Sequence, residues 1–174
     1  MIIHGIATFF AKFKKRPNAR RNAWISSKAL VPKSCIIGER VKIKDKVVLG
    51  ENCFINDDVY VGGEITIGKC CRIECKTMIN SCTTYGNGCM RNPPLFPINK
   101  CVAGEEDIPV KIGNYVAIGT LCFISKGVTI GDKAVIMSGS IVYDDVPEYA
   151  IVRGNPAKII GYRNSKSEEK VSKK

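Results

Sequence analysis

Histidine is almost absent from this sequence. His4 is the only one in 174 residues. That removes metal centres built from several imidazoles, and it leaves the side chain best suited to proton transfer near neutrality nearly unrepresented. Aromatic residues are scarce too, at 7%, although hydrophobic residues make up 45%. An apolar content made mostly of small aliphatics suits a narrow stacked core better than a wide globular one. No apolar run approaches the length needed to span a bilayer. No secretory signal is legible, because the apolar stretch at 2–10 precedes its positive charges, the reverse of the required order. No CxxC pair occurs among the nine cysteines. In such a chain they predict thiols and a reducing, cytoplasmic setting, not disulfides.

What is present is a period of six. From Ile112 the chain reads IGNYVA, IGTLCF, ISKGVT, IGDKAV, IMSGSI, VYDDV. An earlier block runs from Ile37 through IGERVK, IKDKVV, LGENCF, INDDVY, VGGEIT, IGKCCR, IECKTM and INSCTT to YGNGCM at Tyr85. Of these fifteen sixes, fourteen open with Ile, Leu or Val, and Tyr85 is the exception. A helix needs apolar residues every three or four places and a long strand needs alternation, so six fits neither. It fits short strands joined by turns and stacked as a β-solenoid. Glycine follows the lead residue in eight of the sixes, where a left-handed turn would cost it nothing.

Cys35, Cys53, Cys71 and Cys89 stand eighteen apart, three sixes, which is one turn of a three-sided coil. They are predicted to stack at one small inward position, since cysteine packs as a small hydrophobe. A metal site from Cys70, Cys71, Cys75 and Cys82 is the competing reading; it lacks paired spacing and histidine partners, so no metal is expected.

The domain reading is a cap over 1–30, a β-helix over 31–163 with a loop at 91–111, and a charged, disordered tail over 164–174. In the cap, Ile2, Ile3, Ile6, Phe9, Phe10 and Phe13 would share one face of a short helix. Lys12, Lys14, Lys15, Arg16, Arg20 and Arg21 follow it, carrying six of the eleven excess positive charges. A cover for the first coil and a contact with an anionic membrane surface are both compatible with this pattern. Nucleic-acid binding is not expected, because the basic run lacks interleaved aromatics. The proline-bearing loop breaks the rhythm, and a long loop on a rigid scaffold points to function.

The run from Ile112 to Arg163, and DVPEYAIVRGNPAKII within it, resembles the C-terminal signature of hexapeptide-repeat acyltransferases, the group that includes maltose, galactoside, xenobiotic and cell-surface-sugar acetyltransferases. The resemblance covers roughly residues 31–163. It implies a left-handed parallel β-helix, an all-β fold, assembled as a homotrimer with sites between neighbouring subunits under the loop. It also implies acetyl-CoA as donor and a sugar or nucleotide-sugar acceptor, acetylated on a hydroxyl or amine, as in surface glycan biosynthesis.

The resemblance further implies roles for single residues. Gly119 and Thr120 would lie beside the pantetheine arm, with Ser138 and Gly139 one coil later. Lys158 and Arg163, with Arg153 nearby, would pair with nucleotide phosphates. Asp57 and Asp58 would contact the acceptor, although a turn corner is also a common place for Asp. The family's loop histidine, which takes the proton of the attacking hydroxyl, falls on Asn92 when counted back from the loop's end and nearer Thr84 or Met90 when counted forward from the sixes. Asparagine cannot accept that proton at neutral pH. Three alternatives stay open: an amine acceptor that needs less help, a base from Glu105, Glu106 or Asp107, or a β-helix that binds ligand or partner without turnover, as a His→Asn change would leave it.

Overall fold

The structure, a computed structural model, describes residues 22–81 and 108–163. Among these residues every regular element is a β-strand. The strands stack into three sheets, the faces of a triangular coil. The first face holds β2 (Ile36–Ile37), β5 (Phe54–Ile55), β8 (Arg72–Ile73), β11 (Ala117–Ile118), β14 (Val135–Ile136) and β16 (Ala150–Gly154). The second holds β1 (Trp24–Ile25), β3 (Lys42–Ile43), β6 (Tyr60–Gly62), β9 (Met78–Asn80), β12 (Phe123–Ile124) and β15 (Ile141–Val142). The third holds β4 (Val47–Leu49), β7 (Ile65–Ile67), β10 (Val110–Ile112) and β13 (Thr129–Ile130). The chain visits first, second and third faces in turn, and each strand pairs in parallel with those one coil away. The result is a left-handed parallel β-helix of about six turns. A last strand, β17 (Ala157–Tyr162), folds back antiparallel on β16.

The period of six is the period of one side. Each lead aliphatic points inward, so Ile37, Ile55, Ile73, Ile118 and Ile136 form one column, each at most 1% exposed. Burying one such side chain is worth about 1.5–3 kcal/mol. Between coils the backbone hydrogen bonds close the stack, as from the Ile36 amide to the Cys53 carbonyl at 2.9 Å.

Several details depart from the sequence reading. The coil already includes Trp24 and Ile25, which pair with Lys42 and Ile43, so the cap does not extend to residue 30. Ile65–Ile67 pairs directly with Val110–Ile112. No further six stands between them in the stack, and the YGNGCM unit falls outside the described residues. The insertion therefore lies between β9 and β10, at the corner joining the second and third faces, and the coil resumes at Val110 rather than Ile112. Across it the register steps by 45 instead of 18, which adds 27 residues without disturbing phase.

Cys35, Cys53 and Cys71 do stack, but Val116 occupies the next coil of their column, one place before Ala117 in the pairing with Arg72. Cys89 lies outside the described residues. Each of the three thiols donates to a carbonyl one coil away, those of Gly50, Gly68 and Gly113, at 3.0–3.1 Å. Cys70 and Cys75 sit half-buried at different corners of the coil, and Cys82 lies outside the described residues.

The glycines also have another reason than the expected one. Those after the lead residue are not left-handed. A Cβ at Gly50 would stand 2.5 Å from the Lys69 amide nitrogen, and one at Gly131 2.4 Å from that of Glu148. They let successive coils meet at the corners. The left-handed positions come two residues later and are taken by Arg40, Asn52, Asp58, Lys76, Leu121 and others, with φ between 53° and 62°. The proposed N-terminal helix and C-terminal tail lie outside the described residues.

Candidate functional site

The corner between the first and second faces carries the residues of interest. Its first position holds, coil by coil, Gly38, Asn56, Glu74, Gly119 and Met137. Glycine holds this position in seven of the fourteen described sixes, and Asn56, Glu74 and Met137 are among the other seven. A groove of about 160 Å3 opens beside them, lined by Arg72, Glu74, Ala117, Gly119, Met137 and Ser138 among others. It exists because Ala117 is small where Arg72 and Val135 flank it on the outward row.

Gly119 and Ser138 thus meet in one groove. A Cβ on Gly119 would stand 2.5 Å from the Ser138 amide nitrogen, so only glycine permits this approach. Local hydrogen bonds fix the pair. The Gly119 amide donates to the Ile136 carbonyl at 2.8 Å, and its carbonyl accepts from the buried Thr77 hydroxyl at 2.7 Å. The Thr120 amide donates to Ser138 Oγ at 3.2 Å, and the Gly139 amide to the Thr120 carbonyl at 2.8 Å. Thr77 Oγ1 also accepts from the Cys122 amide at 3.2 Å. Gly139 is left-handed, φ 73°, and faces open space. Small residues and oriented backbone dipoles on one wall are what a thioester-bearing arm would lie against.

At the lower lip of the groove a polar relay runs between two faces. Arg72 Nε donates to Glu74 Oε1. Glu74 Oε2 accepts from Asn56 Nδ2 at 2.8 Å. The Asn56 amide and then the Arg72 guanidinium hold the Glu74 carboxyl below its ordinary range. An ionised carboxylate so held is a weak base.

Asp57 and Asp58 occupy the same corner, lower down, and do not line the groove. Asp57 Oδ1 accepts from the Glu39 amide at 2.8 Å. Asp58 forms a two-pronged pair with Arg40, at 2.7 and 2.8 Å, which lowers its pKa. Both side chains tie one coil to the next. Arg153 and Lys158 face each other across the β16–β17 hairpin. Lys158 reaches Asp144 at 3.4 Å, and Arg163 donates to the Lys133 carbonyl at 3.3 Å. Arg153 and Lys158 thus lie near the turn of the hairpin and Arg163 at its other end beside Tyr149, and none of the three lines the groove. Asn92, Glu105, Glu106 and Asp107 lie outside the described residues. The sequence reading missed Thr77, Arg72, Glu74 and Asn56; the last two stand eighteen apart at the same corner position as Gly38 and Gly119.

Comparison with known proteins gives matches of two kinds. No family model matches the chain. The galactoside O-acetyltransferase of Escherichia coli is 48% identical over 52 residues, 30% of this chain and 26% of that protein. The chloramphenicol acetyltransferase of Agrobacterium fabrum is 54% identical over 52 residues, 30% and 25% of the two chains. The matched stretch spans only 25–37% of the length of the curated relatives. In fold the agreement is wider. A hexapeptide-repeat-containing acetyltransferase of Vibrio cholerae, solved with acetyl coenzyme A, superposes with a TM-score of 0.60 at 25% identity, over 86% of this chain and 74% of that one. By sequence over part of its length and by fold over most of it, the chain is similar to the hexapeptide-repeat acetyltransferases.

Proposed function

We propose that the protein transfers an acetyl group from acetyl-CoA to a hydroxyl or amine of a sugar or nucleotide sugar. The observation that carries this is the groove where Gly119 and Ser138 approach to backbone contact, on a coil shared with a structure that holds acetyl coenzyme A. In the reaction the acceptor's oxygen or nitrogen forms a bond to the thioester carbonyl carbon. The carbon–sulfur bond breaks, CoA leaves as its thiol, and the acceptor's proton must be taken up by a base. Thr77 and Ser138 hold the corner backbone in place for the donor. A sugar acceptor is supported by the galactoside enzyme and by a polySia-specific acetyltransferase, which is 28% identical with a TM-score of 0.57.

The reading includes a homotrimer, with sites formed between subunits. The exposed apolar side chains Leu30, Ile36, Leu121 and Tyr143 support such packing, since isolated coils seldom leave so much large apolar surface in water. It also keeps the cytoplasmic setting, supported by the nine cysteines, and a contact of the cationic N-terminal run with an anionic membrane surface.

A thermal-shift titration with acetyl-CoA and CoA tests the proposal. A rise in melting temperature is expected below millimolar ligand, within the usual span of substrate affinities. No shift at millimolar ligand refutes it. Thiol release with a panel of sugars then separates turnover from binding alone. Asn92→His asks whether position 92 is the vacated base; a gain in rate of two orders of magnitude or more is the expected sign of a restored one.

A further inference from the structure

The outward row of the first face is apolar with one exception. It runs Ile36, Phe54, Arg72, Ala117, Val135, Ile151, each in register with the next. Arg72 is the only charge in it, and it stands at the lip of the groove that Gly119 and Ser138 share. A guanidinium in such a row ordinarily sweeps through water. This one is held. Its carbon centre lies 5.3 Å from the Phe54 ring centroid, a cation–π contact. Its Nε is bonded to Glu74, and Glu74 is anchored in turn by Asn56. Only Nε is used. The edge formed by Nη1 and Nη2 has no protein partner among the described residues, and Ala117 above it is too small to cover it.

A planar fork of N–H donors, fixed in orientation and open on one edge, matches the two oxygens of a carboxylate or phosphate. The Arg72 side chain is 64% exposed, so the open edge can be reached from solvent. Glu74 sits on the Nε side, so its charge fixes the fork without occupying the open edge.

We propose that Arg72 is the receptor for an acidic group, carboxylate or phosphate, carried by the acceptor substrate. This rests on the acyl-transfer reading and narrows it, from sugars in general to acceptors that bear a negative charge near the reacting hydroxyl or amine. Glu74 and Asn56 are positioning residues for Arg72, acting through its Nε.

The test uses the full chain saturated with CoA, and matched pairs of probes differing in one acidic group. The pairs are galacturonate with galactose, for a carboxylate, and glucosamine 6-phosphate with glucosamine, for a phosphate. Calorimetric titration is expected to show the acidic member of at least one pair binding tenfold or more tightly than its neutral twin. Arg72→Gln should erase that difference and Arg72→Lys should restore only part of it, with any loss of CoA affinity several-fold smaller than the loss for the acidic acceptor. Among pairs that are turned over, the loss should appear in KM for the acidic acceptor, with kcat within about twofold. Equal binding of both members of both pairs overturns the proposal. So does an Arg72→Gln variant that keeps the preference, that weakens CoA equally, or that changes the oligomer's mass. A wild-type chain that does not bind CoA defeats the acyl-transfer reading instead, and is recognised before any acceptor is added.

Discussion

Consider Gly119→Ala, the smallest change that tests the corner of the groove. The added Cβ would stand 2.5 Å from the Ser138 nitrogen, 2.6 Å from its Oγ and 2.8 Å from its Cα. The hydroxyl can rotate away, but the nitrogen and Cα cannot. They belong to a corner held on both sides by the bonds from Gly119 to Ile136 and from Gly139 to Thr120, each 2.8 Å. Relief must come from separating two coils, and overpacking of that kind costs about 1–3 kcal/mol. For a chain of this size that is about 3–10 °C in melting temperature. Scanning calorimetry reads it directly. Gly161→Ala is the control: a Cβ there meets nothing within 4 Å, so no loss is expected. The same separation of coils should weaken CoA binding beyond what the lost stability explains. If Gly119→Ala melts within 1 °C of the control, coil-to-coil contact is not why glycine stands at the corners.

Three further outcomes are expected. Thr77→Val keeps the shape of a side chain 1% exposed but strips its bonds to the Gly119 carbonyl and the Cys122 amide; the loss should be about 1–3 kcal/mol by denaturant titration, and a neutral result would show that the hydroxyl does not hold the corner. Asp58 has its carboxyl pKa lowered by Arg40, so its pairing stabilises the fold above the ordinary Asp range and is lost as pH falls through the lowered folded value; in melting scans from pH 7 to pH 2, Asp58→Asn should lie below the wild type at neutral pH and converge with it only under the ordinary Asp value of about 4. Iodoacetamide in native buffer should modify Cys70 and Cys75 well before Cys35, Cys53 and Cys122, which are buried, Cys35 and Cys122 with thiol pKa values raised by that burial; early labelling of Cys35 by peptide mass mapping would contradict the packed column.

Much of the fold was legible because the repeat is local. An aliphatic every six residues can be counted, and the inward columns at Ile55, Ile73 and Ile118 follow from the count. The insertion was legible as a broken rhythm, though its edges were not. YGNGCM keeps part of the pattern and lies outside the described residues, while the pairing of Ile67 with Ile112 shows where the coil resumes. The glycines were counted correctly and explained wrongly. For Gly38, Gly50, Gly68, Gly113, Gly119 and Gly131 the reason is a residue in the next coil, which a single six does not contain.

The candidate site divides in the same way. Gly119, Thr120, Ser138 and Gly139 could be named from the sequence only through its resemblance to the hexapeptide-repeat acyltransferases; the repeat itself does not single them out. Asp57 and Asp58 could be named too, but the structure commits them to the Glu39 amide and to Arg40. Arg72, Glu74, Asn56 and Thr77 are distant from Gly119 in sequence, and nothing local marks them as its neighbours.

The sequence by itself thus determined a narrow three-sided coil, its turn length and the identity of its core columns, because each six buries its own lead residue. Only the tertiary structure decided what the corner does. Stacking brings residues 56, 74, 119 and 137 into one line, and the insertion turns an interval of 18 into one of 45. It is that stacking, a contact between coils and not within them, which makes a groove beside Gly119 and fixes the Arg72 fork at its lip.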